Sequence, residues 1–295
     1  MLQLKNHYAK EEDKNLKSCE KHISPESEYY VYSPSRLAEE MFFYPLQCGH
    51  FIYESGYALR RDSYDSFLLM YVQKGGLRLD FEGKETHVSA GQFLLLDCYR
   101  PHSYSSDTGW ECLWCHFDGV LARQWYTNIV SRLGNILAMP ESSPALTKLS
   151  AVYDTFASGR PVREPLMSKH LADILTAFLL YTPAEKSAYD YSGMAEDTIA
   201  YINEHFSDNL TLQELAERAG LSQYHFIRTF KKETGFTPHE YILHTRISTA
   251  RYLLKNTRMP VKEICYGTGF SSESVFCSSF KKQTGMTPGG YRASH

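Results

Sequence analysis

Residues 212–241 read LQELAERAGLSQYHFIRTFKKETGFTPHEY, and residues 261–291 read VKEICYGTGFSSESVFCSSFKKQTGMTPGGY. Gly220 and Ser222 recur as Gly269 and Ser271 at an offset of 49, while Phe230, Lys231, Lys232, Thr234, Gly235, Thr237, Pro238 and Tyr241 recur at an offset of 50. One unit has been duplicated with one insertion, and a repeat of this period sets the architecture of its region. Leu212, Leu215, Ala216 and Ala219 follow the i, i+3, i+4, i+7 spacing of a helix face, as do Val261, Ile264, Cys265 and Thr268. Gly220 and Gly269 end those helices. Ser222 or Gln223, and Ser271 or Ser272, can cap the helices that follow by accepting from their free amides. Each unit therefore has the form of a helix-turn-helix.

At about 100° per residue, Phe226 and Phe230 lie about 40° apart on one face of the second helix, with Tyr224, Arg228 and Lys231 opposite. In the second unit Phe276 and Phe280 form the buried pair, and Ser274, Ser278 and Lys281 face out. A major groove admits one helix whose outward side chains read base edges while cations hold phosphates, so two units imply two adjacent grooves. Between them His239 to Lys255 carries Leu243, Ile247, Ala250 and Leu254 on one stripe; about 17 helical residues span about 25 Å, a rigid spacer for grooves about 34 Å apart. A lone helical hairpin would read as packing; a duplicated one, with Gly, Ser, Phe and Lys-Lys in register, does not.

Working outward, the polar stretch TPAEKSAYDYSGM reads as a linker, residues 182–194, ahead of a DNA-binding domain over residues 195–295. Upstream, Gly119 to Thr182 has helical periodicity: LARQWYTNIVSRLGNIL, then a helix entered at Ser143-Pro144 and stopped at Gly159, then one entered at Glu164-Pro165. This last helix has a wide apolar stripe, Leu166, His170, Ile174 and Ala177 broadened by Leu171, Leu175, Phe178 and Leu179, suited to packing on a sheet or to a share in a dimer interface. From Tyr29 to Phe117 short apolar runs alternate with polar residues, as in Leu77, Leu79 and Phe81 against Arg78, Asp80 and Glu82. Gly75-Gly76 and Gly83 are read as tight hairpin turns. The expectation is an α+β protein: a small antiparallel barrel or sandwich with appended helices over residues 29–181, an all-α C-terminal domain, and a charged, mobile arm over residues 1–28.

The chain of 295 residues has 43% hydrophobic and 22% charged residues, a globular composition, and a net charge of -3. Residues 1–195 hold 19 Lys+Arg against 24 Asp+Glu (-5) and residues 196–295 hold 12 against 10 (+2), so the duplicated region is the basic part. No stretch nears the roughly 20 apolar residues of a membrane span, and the charged start lacks the apolar core of a signal peptide, so a cytoplasmic protein is expected. Its seven scattered cysteines then read as reduced thiols.

FKKETGFTPHEYI and GFSSESVFCSSFKKQTGMTPGGYR resemble the two halves of the AraC family DNA-binding domain, over about residues 197–292. The region before them resembles the cupin-like ligand-binding and dimerisation domain of that family. The resemblance implies a transcription factor that binds direct repeats in double-stranded DNA as a homodimer, with a small molecule in control and RNA polymerase as a further partner. It marks Tyr224, Ile227 and Arg228 as contacts of the first recognition helix, with Gln223 a further candidate beside them and Arg228 foremost because a guanidinium is bidentate toward guanine. Where the family commonly has Arg, this chain has Ser278. The second helix is left to read bases weakly through Glu273, Ser274 and Cys277, or to hold phosphates through Lys281 and Lys282, as Lys231 and Lys232 do in the first. The bland alternative for these lysines is a solvated face.

In the barrel, the resemblance places Arg60 or Arg61, Tyr104, Cys112 and Trp114 where the arabinose-responsive member lines its sugar pocket, and His102 is a further candidate for ligand binding. Cys112 stands where a hydrogen-bonding histidine is expected, so the implied ligand is a sugar or another small molecule rather than arabinose itself. A domain with no ligand, serving only dimerisation or protein interaction, is the other reading. Cupins include metal oxygenases, yet residues three apart in a strand face opposite sides, so Cys112 and Cys115 do not converge on one ion, and the His-x-His of metal cupins is missing. Neither catalysis, a metal nor a cofactor is expected.

Overall fold

A computed structural model describes residues 16–17, 20–140, 142–181 and 193–294. They form two compact units divided between residues 183 and 184. The first unit runs β1 (Leu16–Lys17), β2 (Glu28–Val31), α1 (Arg36–Met41), β3 (Phe43–Tyr53), β4 (Tyr57–Arg61), β5 (Phe67–Phe81), β6 (Lys84–Ser89), β7 (Gln92–Asp97), β8 (His102–Ser106), β9 (Trp110–Gly119), α2 (Ala122–Leu133), β10 (Ile136–Ala138), α3 (Pro144–Ala157) and α4 (Glu164–Leu180). All pairings are antiparallel. One sheet has the order β1-β2-β3-β9-β5-β7-β10, and the other joins β4, β8, β5 and β6.

The long strand β5 belongs to both sheets and folds them toward each other. Strand alternation then sorts side chains into two cores. Leu68, Met70, Leu94, Leu96, Cys112 and Trp114 face the interior between the sheets. Their neighbours Phe67, Leu69, Phe93, Leu95, Leu113 and Cys115 face outward onto α2, α3 and α4. On α4 the buried face is Met167, Leu171, Ile174, Leu175 and Phe178, while Leu166 is exposed. That face is the one needed to cover the outer surface of the sheet.

Three sequence expectations change. Gly75-Gly76 is a bend inside β5, not a hairpin: Gly75 has φ +69°, and a Cβ there would sit 2.4 Å from the Gly109 carbonyl oxygen. Continuing lets β5 pair with β7 and β9 on one side of the bend and with β6 and β8 on the other. Gly83, with Glu82, does form the two-residue turn between β5 and β6. The helix drawn through Leu137 stops at Gly134, and Ile136–Ala138 is a strand paired with β7. The segment assigned to a mobile arm is in part packed: Leu16 and Lys17 pair with Tyr29 and Glu28, Ile23 bridges to Tyr53, and Ser27 is buried with its hydroxyl accepting from Ile52 N. Residues 1–15 and most of the proposed linker lie outside the described residues.

The second unit is helical: α5 (Met194–His205), α6 (Leu212–Arg218), α7 (Gln223–Thr234), α8 (Pro238–Asn256), α9 (Val261–Gly267), α10 (Glu273–Thr284) and α11 (Pro288–Ala293). Phe226 and Phe230 anchor one core with α5, α6 and Ile242 of α8. Phe276 and Phe280 anchor another with α9, α11 and Ile247, Ala250 and Leu254 of the same α8. The 19-residue bridging helix thus has one end in each core.

A candidate nucleic-acid interface and the barrel interior

Local chemistry fixes α7 and α10 in the same way. Ser222 accepts from His225 N and Ser272 accepts from Val275 N, which settles the capping alternatives and satisfies one free amide at each N-terminus. Ser272, not Ser271, is the counterpart of Ser222. Leu221 N bonds Ala216 O and Phe270 N bonds Cys265 O, a shift of 49 residues, whereas the caps are 50 apart. The inserted residue is therefore Ser271, in the turn itself. Gly235 and Gly285 close the two helices at φ +80° and +78°. Thr237 and Thr287 then cap α8 and α11, each ahead of a proline.

These constraints fix which side chains face water. Phe226, Phe230, Phe276 and Phe280 are fully buried, while Tyr224 is 76% exposed and Gln223, Arg228, Lys231 and Lys232 are exposed beside it. Their counterparts Glu273, Ser274, Ser278, Lys281 and Lys282 are exposed as well. Ile227 and Cys277 are half-buried, Cys277 against its unit's core. The Ser278 hydroxyl donates to Val275 O at 3.0 Å. The sequence expectation thus brings together two solvent-facing sets, one carrying a long cationic donor and an aromatic ring, the other small hydroxyls.

In the barrel, the inward face of β8 and β9 gathers His102, Tyr104, Cys112 and Trp114, all buried. Of the Arg60 and Arg61 pair, Arg60 is exposed and lines an open cleft with Asp80, Glu82 and Arg100. Arg61 shares the parity of inward Tyr57 and Leu59, and its guanidinium lies 4.9 Å from the Tyr64 ring centre. His102 donates from Nδ1 to Arg100 O, and burial lowers its pKa. The indole of Trp114 leans over Gly49, where a Cβ would come within 2.8 Å of the ring, and Phe51 meets it edge-on. Its Nε1–H is buried and has no partner among the described residues.

Strand parity also puts Trp110 and His116 inside, which the alternation through Cys112 and Trp114 already contained. Tyr53 stacks on Trp110 at 3.9 Å between ring centres. The His116 ring bonds the Ser66 hydroxyl at 2.8 Å. Burial, with Arg61 and His102 nearby, pushes its pKa down to about 3, so it stays neutral. Tyr53 and Tyr57 sit on non-local strand pairs that no short-range pattern reveals. Cys112 lies in the interior and Cys115 on the outer face, and no cluster of three metal-binding side chains occurs among the described residues.

Two helix-turn-helix units in tandem, behind a double-sheet domain of this kind, define a DNA-binding transcriptional regulator. An AraC-like ligand binding domain matches residues 44–175 and a helix-turn-helix domain matches residues 215–294, and the chain belongs to the AraC family. It is 27% identical to the MmsAB operon regulatory protein of Pseudomonas aeruginosa over 84% of this chain and 82% of that one. It is 25% identical to the Msm operon regulatory protein of Streptococcus mutans over 81% and 88%. Among solved structures, the C-terminal domain of AraT, a response regulator from Geobacillus stearothermophilus, is 31% identical over 36% of this chain and 88% of that chain, with a TM-score of 0.35. These families and relatives are regulators, not enzymes. No helix among the described residues is long and apolar enough to cross a membrane.

Proposed function

We propose that the protein reads two adjacent major grooves with α7 and α10, and that a small molecule held inside the barrel sets its activity. Support for the first part is the opposition, on one helix, of fully buried Phe226 and Phe230 to exposed Tyr224 and Arg228. Arg228 is assigned to a base edge, and Lys231, Lys232, Lys281 and Lys282 to phosphates. Gln223, Tyr224, Glu273 and Ser274 flank them; Ile227 and Cys277, half-buried, set the depth of entry.

The observation that carries the second part is the buried, unpartnered Trp114 Nε1–H inside an aromatic-walled interior, a donor whose desolvation a ligand acceptor would offset. Arg61, with no ion pair among the described residues, stands on the same inward face. Rings beside hydrogen-bond donors suit a sugar or sugar acid. The exposed Leu166 and Leu180 of α4 support a homodimer formed through that helix, and the promoter-bound dimer would then meet RNA polymerase in the cytoplasm.

Thermal melting of the full chain against mono- and disaccharides and sugar acids tests the ligand. Binding at about 100 times the Kd adds about 2.7 kcal/mol, worth a few degrees. A shift for one compound that Trp114→Phe abolishes is the expected result. A flat response across sugars and sugar acids would contradict the sugar assignment.

A further inference from the structure

The two recognition helices and the bridging helix border a cleft of about 700 Å³ whose floor the assignments above do not use. Its floor is one face of α8: Glu240, Leu243, His244, Ile247, Ser248 and Arg251, spaced i, i+3, i+4, i+7, i+8, i+11. One wall carries Lys231 of α7 and the other Lys282 of α10. The doubled lysines are thus used unequally. On a helical wheel Lys231 stands about 60° to one side of Arg228, and Lys282 about 40° to the opposite side of Ser278. The two lysines thus reach the cleft from opposite edges of the outward faces of α7 and α10. Lys232 and Lys281 turn away from it.

The charges in the cleft favour a polyanion. Lys231, Arg251 and Lys282 form no ion pair among the described residues. The one carboxylate, Glu240, accepts from the backbone amide of Thr237 at 2.8 Å and from its hydroxyl at 2.9 Å, closing the capping box of α8, and these bonds, with Lys231 and His239 nearby, lower its pKa. Tyr291 holds Arg251 through Nε at 3.1 Å, fixing where the guanidinium stands. When two helices enter successive major grooves, the sugar-phosphate strands bordering the intervening minor groove must pass between them.

We propose that this cleft holds that phosphate backbone, with Lys231, Arg251 and Lys282 as its partners and α8 as a third DNA-contacting element. The inference rests on α7 and α10 being the groove helices. Phosphate contacts carry no sequence information, so a random duplex of about 30 base pairs is a sufficient probe for the full-length protein.

Affinity is measured from 50 to 200 mM salt for the wild type, Lys282→Ala, Ser248→Glu and Ser248→Gln, each checked by thermal melting. Ser248 is exposed on the cleft floor, so neither substitution disturbs a core. Ser248→Glu should weaken binding about fivefold, the effect of a like charge about 4 Å from a phosphate in water, while Ser248→Gln binds as the wild type. Lys282→Ala should flatten the log–log salt slope by about 0.9, shrinking the loss across that range by about 3.5-fold. If Ser248→Glu binds like Ser248→Gln, no backbone enters the cleft and the proposal falls; a protein partner would then be the candidate occupant. Failure of the wild type to bind any duplex would instead overturn the assignment of α7 and α10.

Discussion

The first helix-turn-helix unit turns Tyr224 and Arg228 to solvent where the second turns Ser274 and Ser278, although both bury a phenylalanine pair in the same positions. Side chains that build the unit have been kept in register through the duplication, as has the lysine pair assigned to phosphates, while those placed toward base edges have parted. Packing and readout occupy opposite faces of one helix, so either can change without the other. The turns differ too. The second is longer by Ser271, and its Gly269 lies against Ser207, just beyond α5, whereas Gly220 faces open space.

The largest test of this comparison concerns what is shared. Phe230→Ala and Phe280→Ala should each cost about 3–5 kcal/mol in urea denaturation, because each empties the centre of a separate core. A cost below about 1 kcal/mol for one of them would mean that its unit lacks the core described. The turns come next. Gly220→Ala should cost about 1–2 kcal/mol, for a positive φ alone. Gly269→Ala should cost clearly more, since its Cβ would lie 2.6 Å from Ser207 O, and equal costs would make the two turns equivalent.

For readout, Arg228→Ala should lose about 1–3 kcal/mol of discrimination at one base position. Ser278→Ala should change affinity by under about 0.5 kcal/mol. Comparable losses from both would put the units on an equal footing. Acid sharpens a different contrast, that between barrel and helices. His116 is neutral when folded, with its pKa at about 3, and takes up a proton on unfolding below about pH 6.5. The unfolded chain then binds more protons, so barrel stability falls as pH drops, by up to about 1.4 kcal/mol per unit. The lowered His102 works in the same direction. His116→Gln should flatten the dependence of Tm on pH between 7 and 5; an unaltered slope would contradict the assignment.

What could be read from sequence follows the range of the interactions. The helical units were legible because caps, Gly stops and i, i+4 stripes are local, and a second copy repeats them at an offset of 49 before the turn and 50 after it. Even there Ser271 and Ser272 could not be told apart until backbone bonds showed which serine opens α10. The barrel depends on pairings between distant residues, such as Gly49 with Trp114 and Tyr53 with Trp110. Alternation gave the faces of β9, and hence the separation of Cys112 from Cys115. It did not reveal that β5 runs on through Gly75, because that choice is made by the strands available on either side. Ile23 and Ser27 were missed for the same reason: their segment is polar, and its order comes from β3 beside it.

Selection of bound duplexes from a random pool by the full-length protein tests the central claim most directly. Two half-sites about one helical turn apart should emerge, one strongly specified and lost with Arg228→Ala, the other weakly specified. Two equally sharp half-sites, or no enriched sequence at all, would contradict the account.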